Sequence, residues 1–160
     1  MADAAATLGL GKALPVTGTF SIPLVVLSSL LSLNAAKTRV DCNTWQGDQA
    51  ITKDGSKPAG VKSPDGNTYD PLLIATRVHA NMMENLPITL LLAGLAELNG
   101  ADRKKLSVVL AAFSVMRISH IVGLFKGSQP ARALGFFGTN IVQLGLVSWL
   151  GVLTKGYWGY

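Results

Sequence analysis

Charge is the first thing this chain has little of. Only 14% of its 160 residues are Asp, Glu, Lys or Arg, whereas a soluble domain usually carries about 25%. Cysteine is nearly absent: Cys42 alone excludes an internal disulfide, and no His/Cys cluster has the spacing of metal ligands. A catalytic role for Cys42 is not expected, and no metal is. There is no Gly-rich phosphate-binding loop and no internal repeat beyond shared hydrophobicity. The formal charge is +5 and the pI about 9.6, but the basic residues are scattered over loops and helix ends and form no strip with interleaved aromatics. They read as membrane-surface and headgroup contacts, and nucleic acid is not an expected partner.

What the chain does have is long apolar runs. Hydrophobic residues make up 49% of it, with 17 glycines, at a mean hydropathy of +0.37. The expected class is an all-α integral membrane protein that crosses the bilayer several times: one four-helix domain over 1–160, with spans near 14–36, 72–98, 106–125 and 131–153 and a long polar loop over 40–70. Leu14 through Leu33 lacks a clear small-residue cleavage site and is read as a retained first span. Pro15 suits a helix start, Pro23 predicts a kink, and Lys37 and Arg39 close the segment as interfacial anchors. The loop contains Asp-Gly twice and two prolines; such length without regular structure signals a functional or partner-bound segment, with Trp45 and Tyr69 as candidate interface anchors. The second span is roughly 40 Å long as a helix, longer than the hydrocarbon it crosses. Pro87 leaves the Met83 carbonyl unbonded and predicts a bend, while Met82 and Met83 are read as packing.

Asn99-Gly100 is expected to end the second helix and Asp102 to cap the third, making antiparallel neighbours. In the fourth span Ala131, Gly138 and Gly145 recur every seven residues with Gly135 nearby, a seam for close helix packing within or between subunits. Tyr157, Trp158 and Tyr160 resemble an interfacial aromatic belt. Four alternating spans place both termini on one side. The loop charges slightly favour a cytosolic long loop and Arg77.

One stretch organises the rest. Ala75 to Pro87 reads ATRVHANMMENLP, and Arg77, Asn81 and Glu84 stand at i, i+4 and i+7, one stripe of a helix. An ionisable side chain inside hydrocarbon costs at least roughly 2.5 kcal/mol and persists mainly where it faces a bundle interior or a polar cavity. The stripe is therefore either a functional site or an intrahelical Arg77–Glu84 ion pair that helps pack a bundle. In the third span Arg117 and His120 lie at i and i+3, at the end expected to meet that stripe.

The pattern Arg77-x-His79-x-Asn81-x-x-Glu84, then Arg117-x-x-His120, then Pro130-x-Arg132, resembles the MAPEG superfamily, the membrane-associated proteins in eicosanoid and glutathione metabolism. Microsomal glutathione transferases, leukotriene C4 synthase and microsomal prostaglandin E synthase are members. The similarity runs from Asp70 to Leu153. It implies a four-helix up-down bundle, a homotrimer with sites between subunits, and glutathione as cofactor. On this resemblance Arg77, Asn81 and Glu84 hold glutathione, Arg117 and His120 line its pocket, and Arg132 activates the sulfur. Some positions differ from the family pattern: Ala35 and Ala36 stand where basic residues help hold glutathione, with Lys37 and Arg39 nearby. Ala80 replaces a second Arg, Asn85 a tyrosine and Leu124 an aromatic hydroxyl.

The expected function is a glutathione-dependent membrane transferase or peroxidase acting on lipophilic electrophiles or hydroperoxides, with substrate entering from the bilayer. The competing expectation is a non-catalytic subunit of the same fold within a larger membrane complex. A third reading, a small ion or proton transporter using Arg77, Glu84 and His120, lacks the broken helices and repeat symmetry of such proteins. An endoplasmic reticulum or mitochondrial membrane is expected if the source is eukaryotic.

Overall fold

The computed structural model describes residues 13–44, 46–47, 61–62 and 68–159, with backbone alone at 61–62 and 68–69. Four long helices follow in order: α1 (Pro15–Asp41), α2 (Pro71–Leu98), α3 (Arg103–Phe125) and α4 (Gln129–Thr154), with a 3-10 turn at Lys155–Trp158. Between α1 and α2, β1 (Val61–Lys62) pairs antiparallel with β2 (Thr68–Tyr69), Val61 opposite Tyr69. Trp45, Tyr160 and the Tyr69 side chain, three of the expected aromatic anchors, lie outside the described residues.

Local chemistry fixes the helix ends. Pro71 stands in the first turn of α2, where its missing N–H costs nothing, and the Asp70 carboxylate accepts the N–H of Leu72 at 2.7 Å and of Leu73 at 3.3 Å. Asp102 caps α3 by accepting Lys105 N–H at 2.9 Å. Gly100, at φ +84°, supplies the left-handed residue that ends α2: Ala101 N–H bonds the Ala96 carbonyl and Gly100 N–H the Glu97 carbonyl. The same double bond closes α3, from Ser128 N–H to Gly123 and from Gly127 N–H to Leu124. These two tight reversals make α2, α3 and α4 consecutive antiparallel neighbours. The helices overrun the apolar stretches: α1 continues to Asp41, and α3 begins at Arg103 directly after its cap. α1 and α2 run on through Pro23 and Pro87.

The interior is apolar and so is the outside. Leu24, Leu31, Ile74, Val78, Met82, Leu86 and Phe113 form one buried cluster, and Ala93, Leu106, Leu110 and Leu146 a second. Ile22, Leu91, Val108 and Ile141 face outward with 63–70% of their surface exposed, an arrangement stable only where the surroundings are hydrocarbon. α1, α3 and the run Gln129–Trp158 are each long and apolar enough to cross a membrane. α2 falls short of that apolarity because it carries His79, Asn81, Glu84 and Asn85. The protein is a four-helix membrane bundle, and the helix with polar residues in the middle of its apolar run carries three of the five polar residues on the site.

Backbones approach most closely between α3 and α4. A Cβ on Gly135 would sit 2.5 Å from the Cβ and N of His120, and one on Gly123 would sit 2.5 Å from the Arg132 nitrogen. Gly138 is closed off by the Met116 side chain, whereas Gly145 has nothing within 4 Å. The small-residue seam within the subunit is thus Gly123, Gly135 and Gly138; the seven-residue repeat does not extend it to Gly145.

Candidate functional site

The stripe on α2 does converge with the ends of α3 and α4. Arg77, Asn81 and Glu84 line a cavity of about 490 Å³ together with His120 and Arg132, and the remaining wall includes Leu73, Ile74, Leu124 and Phe136. Helix phase explains the grouping: Arg77, Asn81 and Glu84 fall on one side of α2, and Val78 and Met82, on the other, go into the core. His79, between them in sequence, is not among the lining residues. Arg77 and Glu84 stand on the same wall of that cavity.

His120 and Arg132 are brought together by the Gly-lined α3–α4 contact. The His120 Nδ1 lies 3.0 Å from the Arg132 carbonyl oxygen. A carbonyl only accepts, so Nδ1 carries a proton and is the donor of this contact. Ser119 adds a second cross-link by donating to the Ala131 carbonyl at 3.1 Å. Arg132 is thereby placed on the cavity by its own main chain.

Arg117 departs from the sequence reading. It does not line the cavity; it is 2% exposed and sits behind Asn81. Its Nη1 donates to Asn81 Oδ1 at 2.6 Å and its Nη2 to the Gly135 carbonyl at 3.0 Å, with the guanidinium carbon 5.9 Å from the centre of the Phe113 ring. Three residues along a helix is a rotation of about 300°. That offset is enough to put His120 on the wall and Arg117 in the interior.

Sequence reasoning also passed over a polar chain below the cavity. Asn85 Nδ2 donates to the Asn81 carbonyl at 2.8 Å, the Asn85 carbonyl accepts from Thr89 at 2.9 Å, and Gln143 of α4 donates to Thr89 Oγ1 at 3.1 Å. Its signal was present, since Asn85, Thr89 and Gln143 are polar residues within spans. Ala80 and Leu124 both line the cavity, so the aliphatic residues at those two positions are part of its wall. Ala35 is buried in α1, and Arg39 donates to the Gly47 carbonyl at 2.7 Å.

The cavity thus presents two guanidiniums, one carboxylate, one amide and one imidazole against a partly apolar wall, groups able to meet both anionic and cationic ends of a small ligand. No curated protein and no solved structure matches the chain. The MAPEG family model matches residues 17–152, which is most of the sequence; it takes in α2 and α3 whole, all but the first two residues of α1 and the last two of α4, and every residue of the cavity. This chain belongs to the MAPEG family, membrane proteins related to glutathione and eicosanoid metabolism.

Proposed function

We propose that this protein binds glutathione in the α2–α3–α4 cavity and presents its sulfur to lipophilic electrophiles or hydroperoxides. The observation that carries the reading is the convergence of Arg77, Asn81, Glu84, His120 and Arg132 from three helices on one cavity, whose volume lies in the usual range of roughly 300–1,000 Å³ for small-ligand sites. The donor set fits the ligand. Glutathione has two carboxylates and one ammonium; Arg77 is suited to clamp a carboxylate in two-pronged fashion, Glu84 to receive the ammonium, and Asn81 to donate to an acceptor. Glutathione, when bound there, would supply a thiolate that displaces a leaving group from an electrophilic carbon or, with a second glutathione, reduces a hydroperoxide to alcohol and water as the two sulfurs join in a disulfide.

The chain's own part is positioning and charge. A free thiol of pKa about 8.5 is only a few per cent ionised at pH 7, and Arg132, held in a partly apolar cavity, favours the ionised form. Leu73, Ile74, Leu124 and Phe136 provide an apolar wall for a lipophilic partner and keep water from it. Arg77, Ala80 and Glu84 are exposed on the single chain although they lie within a helix that crosses the bilayer. Lipid cannot satisfy the Glu84 carboxylate, which supports a homotrimer whose neighbouring copy covers this face.

A second reading is a non-catalytic subunit of a larger membrane complex. It is favoured by Ala80 and Leu124 on the cavity wall, where the resemblance leads one to expect an arginine and an aromatic hydroxyl. Calorimetric titration of glutathione into the detergent-purified protein separates the two: a saturable heat supports the enzyme reading, and its absence sinks it. Mass measurement in the same detergent tests the assembly, where a single copy among unrelated subunits would rule out the trimer.

A further inference from the structure

Arg117 occupies an unusual position for a cation. It is 2% exposed, its Nε has no hydrogen-bond partner, and no carboxylate pairs with it among the described residues. Its two hydrogen bonds among the described residues go to neutral oxygens, Oδ1 of Asn81 and the carbonyl of Gly135. A guanidinium has donors and no acceptors. The Asn81 amide can therefore turn only one way, with its oxygen toward Arg117 and its NH2 away. The Asn81 Nδ2 has no hydrogen-bond partner among the described residues, and Asn81 lines the cavity.

From this geometry we infer that Arg117 is a positioning residue: it fixes Asn81 as a hydrogen-bond donor into the cavity and, through Asn81, makes that point of the wall select an anionic or carbonyl oxygen of the ligand. The inference rests on the proposed glutathione site and assigns Arg117 a role without contact to ligand. An isolated Asn can rotate to offer either its oxygen or its nitrogen at small cost. With Arg117 behind it, rotation would set two donors against each other at 2.6 Å in a buried setting, where an unmade charged hydrogen bond is expensive. The positive charge on Arg117 also polarises the amide, which strengthens its N–H as a donor. Gly135 completes the device. Its carbonyl holds the other Nη, and the Gly135 contact with His120 fixes α4 at that distance. The wall is thus set from α3 and α4, although the group that faces the ligand belongs to α2.

A merely structural tie between α2 and α4 makes different predictions, so glutathione Kd and melting temperature are measured in detergent for wild type, Asn81→Ala, Arg117→Gln, the double variant and Asn81→Asp. Each of the first two is expected to weaken binding about ten-fold or more, and the double variant no further than the weaker single, because both remove the same donor. Asn81→Asp keeps an oxygen toward Arg117 and so keeps its melting temperature, yet shows the cavity a negative acceptor; it is expected to lose binding at least about as strongly. Multiplicative losses in the double variant, or wild-type affinity in Asn81→Asp, would overturn the role of Arg117 alone. If Arg117→Gln does not fold, Asn81→Asp decides the matter. Wild type that takes up no glutathione overturns the proposed function and this role together.

Discussion

The carboxylate of Glu97, at the last turn of α2, caps the first turn of α1: its Oε2 accepts the Thr17 N–H and its Oε1 the Val16 N–H, both at 2.9 Å. Leu14, at the N-cap of α1, offers no side-chain acceptor of its own. The cap is thus delivered from 80 residues away, and it couples the end of one helix to the start of another. Glu97 is 9% exposed. We predict that Glu97→Ala destabilises the bundle by about 2 kcal/mol, since one buried and one half-buried donor lose their acceptor. Thermal unfolding in detergent measures this, and an unchanged midpoint would show that water replaces the carboxylate.

Glycine substitutions should separate packing inside the subunit from packing outside it. Gly135→Ala drives a methyl into the backbone and Cβ of His120, so the expected cost is at least about 1–3 kcal/mol, with glutathione affinity lost as well because the Gly135 carbonyl no longer holds Arg117. Gly145→Ala meets nothing and gains helix propensity of up to about 1 kcal/mol. If Gly145→Ala instead dissociates an oligomer seen by light scattering, that glycine lies on an interface between copies.

Arg77 and Arg132 are predicted to fail in different ways. Arg77→Ala should weaken glutathione binding by about 2 kcal/mol or more through loss of a charge-assisted, two-pronged contact. Arg132→Ala should leave binding largely intact while lowering thiolate formation and turnover, because its partner is charge present only on the activated sulfur. Calorimetry reports the first and thiolate absorbance near the ultraviolet edge, followed against pH, the second. Equal losses in both assays for both variants would contradict the division of roles.

Cys42, just beyond α1, is a test of electrostatics outside the membrane. Burial first, then the carboxylates of Asp70 and Asp41, push its thiol up from the ordinary cysteine range. A raised pKa leaves less thiolate at any pH below it, so alkylation at pH 8 should be slower than that of a free cysteine, and Asp41→Asn should speed it modestly. A faster rate than the free amino acid would refute this.

The spans could be read from the sequence because membrane helices announce themselves by composition, and several of their ends by chemistry: Pro15, Asn99-Gly100 and Asp102 each act as their side chains or backbone freedom require. Hydropathy stops where hydrocarbon stops, however, and α1 does not; residues 37–41 continue it at the polar margin. The α2 stripe was legible for the same reason that it is costly, as ionisable groups on one face of a span. Which of Arg117 and His120 faces inward was not legible, because spacing fixes their angular separation and leaves the rotation of α3 free. The Glu97 cap was equally hidden, since nothing local links it to Thr17.

The apolar side of the cavity also fixes how the proposed activity must be assayed. Phe136 lines the cavity and keeps 48% of its surface exposed on a helix apolar enough to cross a membrane, so under the proposed function a lipophilic compound would meet the site after partitioning out of water. Its driving concentration is then a mole fraction within the micelle or bilayer. Adding empty micelles at constant total substrate should lower the rate by surface dilution, whereas the dependence on water-soluble glutathione should be unmoved.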